Sequence, residues 1–370
     1  MAGVVASGVA RSTDGVSIAE PADERELRSL LRTSVMPGAV RVALTREPDF
    51  FAGDGLAAAD DVTLVARRKG RVVGMGRCSV LQLHRNGAPA TIGYLGALRI
   101  TSGTRESARL LRDGYQLLLR HYVDSPIECF FTSIAAGNER ARHVLEQGGR
   151  LGLPTYLPIC ELVTLVAPIG RHTSGVQTEA AAFDAELREF LQRGARDAHL
   201  TLTWDDAQWN GLGHHGITAS DFAVVRRDGE ITAAAAVWNQ RGFRQTVIDG
   251  YSGTLRSFRP LVNSLQALRG LPALPAPGSV LAQGALLGAT VNDPDDWPRL
   301  WRLVQHRAAA AGLEWITIAR DARDPELPVL RRLLRAREYH TTLYEVVWRD
   351  TPRSPDPWNT RYFRPEVSLL

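Results

Sequence analysis

The chain has 370 residues, 44% of them apolar, with 44 basic against 40 acidic side chains and a net charge of +4. That length and apolar content suffice for more than one buried core, and no basic run of five or six residues singles out nucleic acid as the main partner. Cys78, Cys129 and Cys160 stand far apart without a C-x-x-C pair, which reads as reduced thiols and sets aside a zinc framework.

Residues 1–20 are small and polar, without a basic segment leading into an apolar one, and read as a flexible lead, not a signal peptide. Leu27, Leu30 and Leu31 recur at helical spacing and predict a helix over Asp23–Ser34. A loop at Met36-Pro37-Gly38 and an aromatic segment at Glu47–Phe51 follow. Val62–Ala66 and Val72–Val80 read as a hairpin around Arg67–Gly70, and Thr91–Ile100 as a strand. Arg105–His121 is leucine-rich and helical, Ile127–Ile134 a strand, Asn138–Gln147 a helix and Glu161–Val166 a closing strand.

The second half repeats this order. A helix at Phe183–Leu191 precedes a hairpin, Phe222–Val225 and Ile231–Trp238, around Arg227–Glu230. Then come a strand at Val280–Thr290, a helix at Trp297–Ala311, a strand at Trp315–Arg320, a helix at Leu327–Arg337 and a strand at Thr342–Trp348. Duplication explains the echo and predicts an α/β (α+β) class with mixed sheets flanked by helices. The expected division is a first domain at 21–169, a linker at 170–179, a second domain at 180–350 and an aromatic arm at 351–370 packed on the body. The longest apolar stretch, Tyr156–Ile169, is broken by Cys160-Glu161 and too short to span a bilayer, so a cytoplasmic protein is expected.

Two stretches carry chemistry. A strand runs through Leu98-Arg99-Ile100 into Thr101–Thr104 and then Arg105-Glu106-Ser107-Ala108-Arg109-Leu110, which opens a helix. Downstream, Phe130–Ser133 leads to Asn138, Ala141, Leu145, Glu146 and Gly148. Together these resemble the GNAT superfamily of acyl-CoA-dependent N-acyltransferases, in its tandem-domain bacterial type. The resemblance implies two tandem GNAT-like domains, the second degenerate. It also implies that backbone N–H groups at the helix N-terminus cradle the coenzyme A pyrophosphate. Carried onto this chain, the cofactor-binding set is Leu98, Arg99, Ile100, Arg105, Glu106, Ser107, Ala108, Arg109, Leu110 and Asn138. Ala108 and Leu110 depart from the small or glycine residues of the pattern, and Leu145 stands where the family often has a tyrosine acid.

Direct transfer from acetyl-CoA or another acyl-CoA, with no metal, needs a group to take the amine proton and sometimes an acid for the sulfur. Tyr94, Glu128 and Tyr156 are the catalytic candidates, with Tyr115, His84 and Glu161 behind them. Each also has a bland reading, as a solvated carboxylate or a core tyrosine with its hydroxyl satisfied. The acidic stretch Asn292–Asp296 repels a pyrophosphate, so one coenzyme A per chain is expected. The acceptor, a small-molecule or lipid-like amine, is expected between the halves, where Met36–Phe51, Trp204–His215 and the Pro-rich insertion after Leu271 could meet. A first half cut within the linker is expected to keep its cofactor. Two other functions remain open at this point: a non-catalytic acyl-CoA sensor or scaffold, and an aminoacyl-tRNA-dependent transferase. His214-His215 lacks a carboxylate cluster at ligand spacing and predicts no metal site.

Overall fold

The computed structural model describes residues 14–56, 58–101, 105–170, 184–349 and 357–370. The linker expected at 170–179 lies outside them apart from Gly170, as does most of the N-terminal lead. The first half runs β1 (Gly15–Ile18), α1 (Glu24–Thr33), β2 (Val40–Thr45), β3 (Ala58–Arg68), β4 (Arg71–Arg85), β5 (Ala88–Ile100), α2 (Arg105–His121), β6 (Cys129–Ala135), α3 (Glu139–Glu146) and β7 (Thr155–Pro168). The second opens with α4 (Asp184–Ala195), β8 (Ala198–His199), α5 (Asp206–His214), β9 (Phe222–Arg227), β10 (Glu230–Trp238), β11 (Gln245–Tyr251) and α6 (Gly253–Leu268). It closes with β12 (Gln283–Val291), α7 (Trp297–Ala310), β13 (Trp315–Asp321), α8 (Leu327–Leu334), β14 (Arg337–Val347) and β15 (Tyr362–Phe363).

Eleven strands form one mixed sheet in the order β1-β3-β4-β5-β6-β14-β7-β13-β12-β10-β9. Its hairpins turn where two consecutive residues adopt positive φ, at Lys69-Gly70, Asn86-Gly87 and Asp228-Gly229, the backbone that a two-residue turn between twisted strands requires. The Asn86-Gly87 turn lets β4 and β5 run on until Arg85 faces Ala88, longer than the sequence pattern suggested. β7 is also longer than expected, because it is paired along both edges, by β14 on one side and β13 on the other. Helix α8 ends three residues early, where Arg335 turns left-handed (φ 46°), and β14 starts at Arg337.

β14 is the last long strand of the chain, yet it sits between β6 and β7 of the first half, antiparallel to both. The halves therefore share one sheet. A cut within 170–179 would pull β14 out from between β6 and β7, so the expectation of a self-sufficient first half gives way to an interlocked pair.

Alternation along the strands sends side chains to two faces. On one face Val62, Val80, Leu95, Ile134, Tyr156 and Tyr344 pack with α2. On the other, Leu81, Leu83, Ile92, Phe131, Leu162 and Leu343 join Phe190, Trp204 and Phe222 in a core common to both halves. Trp204 is wholly buried there and Trp209 packs beside it, so this pair fills the seam. Phe363 and Leu369 of the C-terminal segment are buried in the same core. Seven elements were not evident in the sequence pattern: β2 and β11, which pair with each other and tie the halves together, α5 and α6, the two-residue strands β8 and β15, and β1, which pairs with β3 where a flexible lead was expected.

Candidate active site

β5 and β6 are parallel neighbours that pair only at Ile92–Cys129, Gly93–Phe130 and Tyr94–Phe131. Beyond Tyr94 they separate, although β5 continues to Ile100 and β6 to Ala135. The cause is a bulge: Ala97 and Leu98 together oppose Gly76 of β4, with Ala97 at φ 53°. A bulge bends its strand and re-aims the groups around it. Thr132 Oγ1 donates across the start of the gap to the Leu95 carbonyl at 2.6 Å. The result is a wedge whose strand walls expose the apolar side chains of Leu98 and Ile100, with α2 starting just past its mouth.

The second half repeats this geometry residue for residue. β12 and β13 pair at Gln283–Trp315, Gly284–Ile316 and Ala285–Thr317, then part. Gly288 and Ala289 form the bulge, opposite Ala235, with Gly288 at φ 63°. Gly288 therefore matches Ala97, and Ala285 matches Tyr94. Two differences separate the wedges. The second lacks the tyrosine, and it is filled by the C-terminal segment: the Gly288 amide donates to Glu366 Oε1 at 3.1 Å, and Arg320 spans the gap to the Ala289 carbonyl at 3.2 Å. Burial pushes the Glu366 carboxyl up to about 7, against the pull of the Gly288 N–H and the Arg320 charge. At the start of α7, the Asp293 side chain accepts from the Asp295 amide at 2.9 Å and Asp296 accepts from Arg227 at 2.9 Å.

Tyr94 occupies the last paired position before the first wedge opens. Its ring packs on Phe131 at 5.0 Å and its hydroxyl is hydrogen-bonded to Ser133. Burial pushes the phenol above its ordinary value, against the Ser133 bond and the nearby Arg244 and Arg99 charges. Beside it lies a polar cluster built by both halves. Arg77 binds Asp54 at 2.8 Å and Asp61 at 2.6 Å, and Arg46 lies 3.6 Å from Asp54. Arg244, from the second half, donates to the Ser368 carbonyl at 3.0 Å and to a terminal carboxylate oxygen of Leu370 at 2.9 Å. Gln245 joins the halves through Thr45 Oγ1 at 3.0 Å and the backbone of Glu47 at 2.8 and 2.9 Å.

Arginine outnumbers carboxylate in this cluster: Arg46, Arg77, Arg99 and Arg244 against Asp54, Asp61 and the Leu370 carboxylate. Burial, reinforced by Arg244 and Arg77, pushes Arg46 down to about 9. Burial also lowers Arg99 and Arg244. Among the described residues neither Arg99 nor Arg244 has an aspartate or glutamate within ion-pair distance.

The remaining expected residues are dispersed. Tyr156 lies in the core on the opposite face, 5% exposed, with its hydroxyl bonded to that of Tyr115. Burial pushes Tyr115 up to about 12 and Tyr156 well above the usual phenol range. Glu128 precedes β6 at the closed end of the wedge, exposed and 3.7 Å from Arg85. Asn138 caps α3, accepting from the Ala141 amide at 3.2 Å, which accounts for the Asn-x-x-Ala spacing. Leu145 is buried in the core. In the first turn of α2, Glu106 pairs with Arg68 at 3.1 Å, and Arg109 pairs with Asp113 at 3.6 Å. Ala108 and Leu110 are half-buried on the same helix, and Ser107 is engaged in a contact of its own. Residues 102–104 and the Arg105 side chain fall outside the described residues. The paired bulges, Arg77, Arg46 and Arg244 escaped sequence reasoning. The signal that could have found the bulges is the internal repeat itself, aligned at Gly93 and Gly284.

All three cysteines are free, and burial pushes Cys78 and Cys129 up to about 12, which leaves these two thiols protonated and unreactive. Among the described residues no group of three or more His, Cys, Asp or Glu is placed to hold a metal, and no helix is long and apolar enough to cross a membrane.

No protein-family model matches the sequence, and no curated protein matches it. Solved structures do resemble the fold. Saccharomyces cerevisiae N-myristoyltransferase with bound myristoyl-CoA aligns over 96% of this chain and 89% of its own, at 10% identity and a TM-score of 0.58. A structure of the same enzyme with myristoyl-CoA and inhibitors aligns over 98% and 87%, at 12% identity and a TM-score of 0.57. Likeness at such identity establishes the fold: a mixed α/β architecture of the GNAT type, as the sequence motifs led us to expect.

Proposed function

We propose that this chain is an acyl-CoA-dependent N-acyltransferase that moves an acetyl or longer acyl group directly onto an amine. The observation that carries the reading is the pair of matching wedges. In the second, the bulge amide of Gly288 holds a carboxylate oxygen from the chain itself. The matching amide in the first, that of Ala97, is the natural donor to a thioester oxygen as negative charge develops on it. An extended pantetheine arm would run along the wedge wall at Leu98–Ile100. Its phosphates would meet the N-terminus of α2, at Arg105–Leu110.

In the reaction the amine lone pair forms a C–N bond to the thioester carbon and the C–S bond breaks. The leaving thiolate then takes a proton, and the nitrogen gives one up through the tyrosinate or water, which restores the phenol. Tyr94 is the group suited to supply the thiolate's proton, because its raised phenol stays protonated at neutral pH. Glu128 and Tyr156 have no part in this scheme, since one lies at the closed end of the wedge and the other on the opposite face. The division into a donor-binding first domain (21–169) and a degenerate second domain (180–350) is part of the proposal, with β14 shared between them. Water exclusion in a cleft walled by both halves would favour attack by a neutral amine.

The surplus of arginine favours an acceptor that carries a carboxylate or phosphate near its amine, whether small or lipid-like. The test is coenzyme A thiol release from acetyl- and myristoyl-CoA with simple alkylamines, amino acids and phosphoethanolamine. Amine-dependent release, with higher kcat/KM for the anionic amines, is expected. Acyl-CoA binding without release to any amine would instead make the chain a sensor.

A further inference from the structure

Helix α6 has no buried residue along its 16-residue length. Phe258, Leu261, Leu265 and Leu268 are 57, 56, 48 and 84% exposed, and their spacing of three, four and three residues lines them up on one outward stripe. The helix is held on its other side. Leu255 and Val262 pack against Ile248, Tyr251 and Leu274, and Arg259 and Asn263 donate to the Leu274 carbonyl at 3.1 and 3.2 Å. The stripe is therefore a second apolar surface, beyond what anchors the helix.

The charge along the segment itself is of one sign. Between Asp249 and Asp293 the chain contains no acidic residue, and its charged groups there are Arg256, Arg259 and Arg269. Arg256 and Arg269 are exposed at either end of the helix. Arg337 lies close enough to Tyr251, at the foot of α6, for its charge to be felt there.

We propose that α6 is an interfacial helix that seats the protein on a bilayer surface bearing anionic headgroups, with the stripe in the acyl boundary and the arginines among the phosphates. Apolar side chains on one face with cationic neighbours are what such a surface takes. A second copy of this chain is the poorer fit, because a two-fold contact would set the same cationic rim against itself. The inference does not depend on the enzymatic reading, since it is measured without substrate.

The experiment is co-sedimentation of the full chain with vesicles of phosphatidylcholine alone and of phosphatidylcholine mixed with phosphatidylglycerol. The protein is expected to pellet with the anionic vesicles, less so as salt is raised, and to remain in solution with the neutral ones. The L261E/L265E variant should bind at least about tenfold more weakly with an unchanged melting temperature, because neither side chain is buried. R256Q/R269Q should weaken the preference for anionic vesicles. Failure to pellet with anionic vesicles, equal pelleting with neutral ones, or undiminished binding by L261E/L265E would overturn the proposal. So would a dimer, seen by light scattering, that L261E/L265E converts to monomer.

Discussion

Two buried tyrosine hydroxyls face different neighbours, and that difference separates chemistry from packing. Tyr94 sits at the apex of the first wedge beside Ser133, within reach of the Arg244 and Arg99 charges. Tyr156 bonds only another tyrosine inside an apolar core. Tyr94→Phe keeps the ring against Phe131 and removes the proton, so kcat should fall about 100-fold with little change in melting temperature. Tyr156→Phe leaves the Tyr115 hydroxyl short of a buried partner, costing about 1–3 kcal/mol of stability with kcat unchanged. Steady-state kinetics and thermal unfolding of both variants decide the matter. An active Tyr94→Phe variant would remove Tyr94 from the mechanism.

The C-terminal segment acts as an element of the second half, because its Glu366 fills that half's wedge. Its Glu366 carboxyl is raised from its ordinary 4.5 to about 7. Between those values the folded chain holds a proton that the unfolded chain releases. The stability contributed by this group is therefore full below about pH 4.5, declines as pH rises toward 7, and is level above. Glu366→Gln can still accept from the Gly288 amide and should flatten that decline. Unfolding followed from about pH 5 to about pH 8 checks this, and the same slope in both proteins would mean that the carboxyl is not held as described.

At this scale the sequence was legible where pattern and burial agree. Helix α2 runs over the residues its leucines predicted, because those leucines line a core face. The hairpins at Lys69-Gly70 and Asp228-Gly229 follow from residues that tolerate positive φ. Helix α6 was hidden because Pro260 lies inside it and its apolar residues face outward as well as inward. β2 and β11 were hidden because their partners lie some two hundred residues apart in the chain. The Ala97 bulge shows no glycine to mark it, and the cluster's arginines resembled many others in an arginine-rich chain.

Over the whole molecule, two halves of like topology share one sheet, interlocked by β14 and by the β2–β11 pair. Each half opens a wedge between parallel strands, and the chain's own Glu366 fills the second. The two wedges differ at matched positions: Tyr94 against Ala285, and the Ala97 bulge against the Gly288 bulge that holds Glu366. Acyl-CoA is expected to enter the β5–β6 wedge and no other. Hydrogen exchange followed by mass spectrometry, on the full chain with and without a non-transferable myristoyl-CoA thioether, tests it most directly. Slowed exchange is predicted at residues 95–101 and 132–135, with 287–291 and 317–321 unchanged. Protection at the second wedge, or at neither, would contradict it.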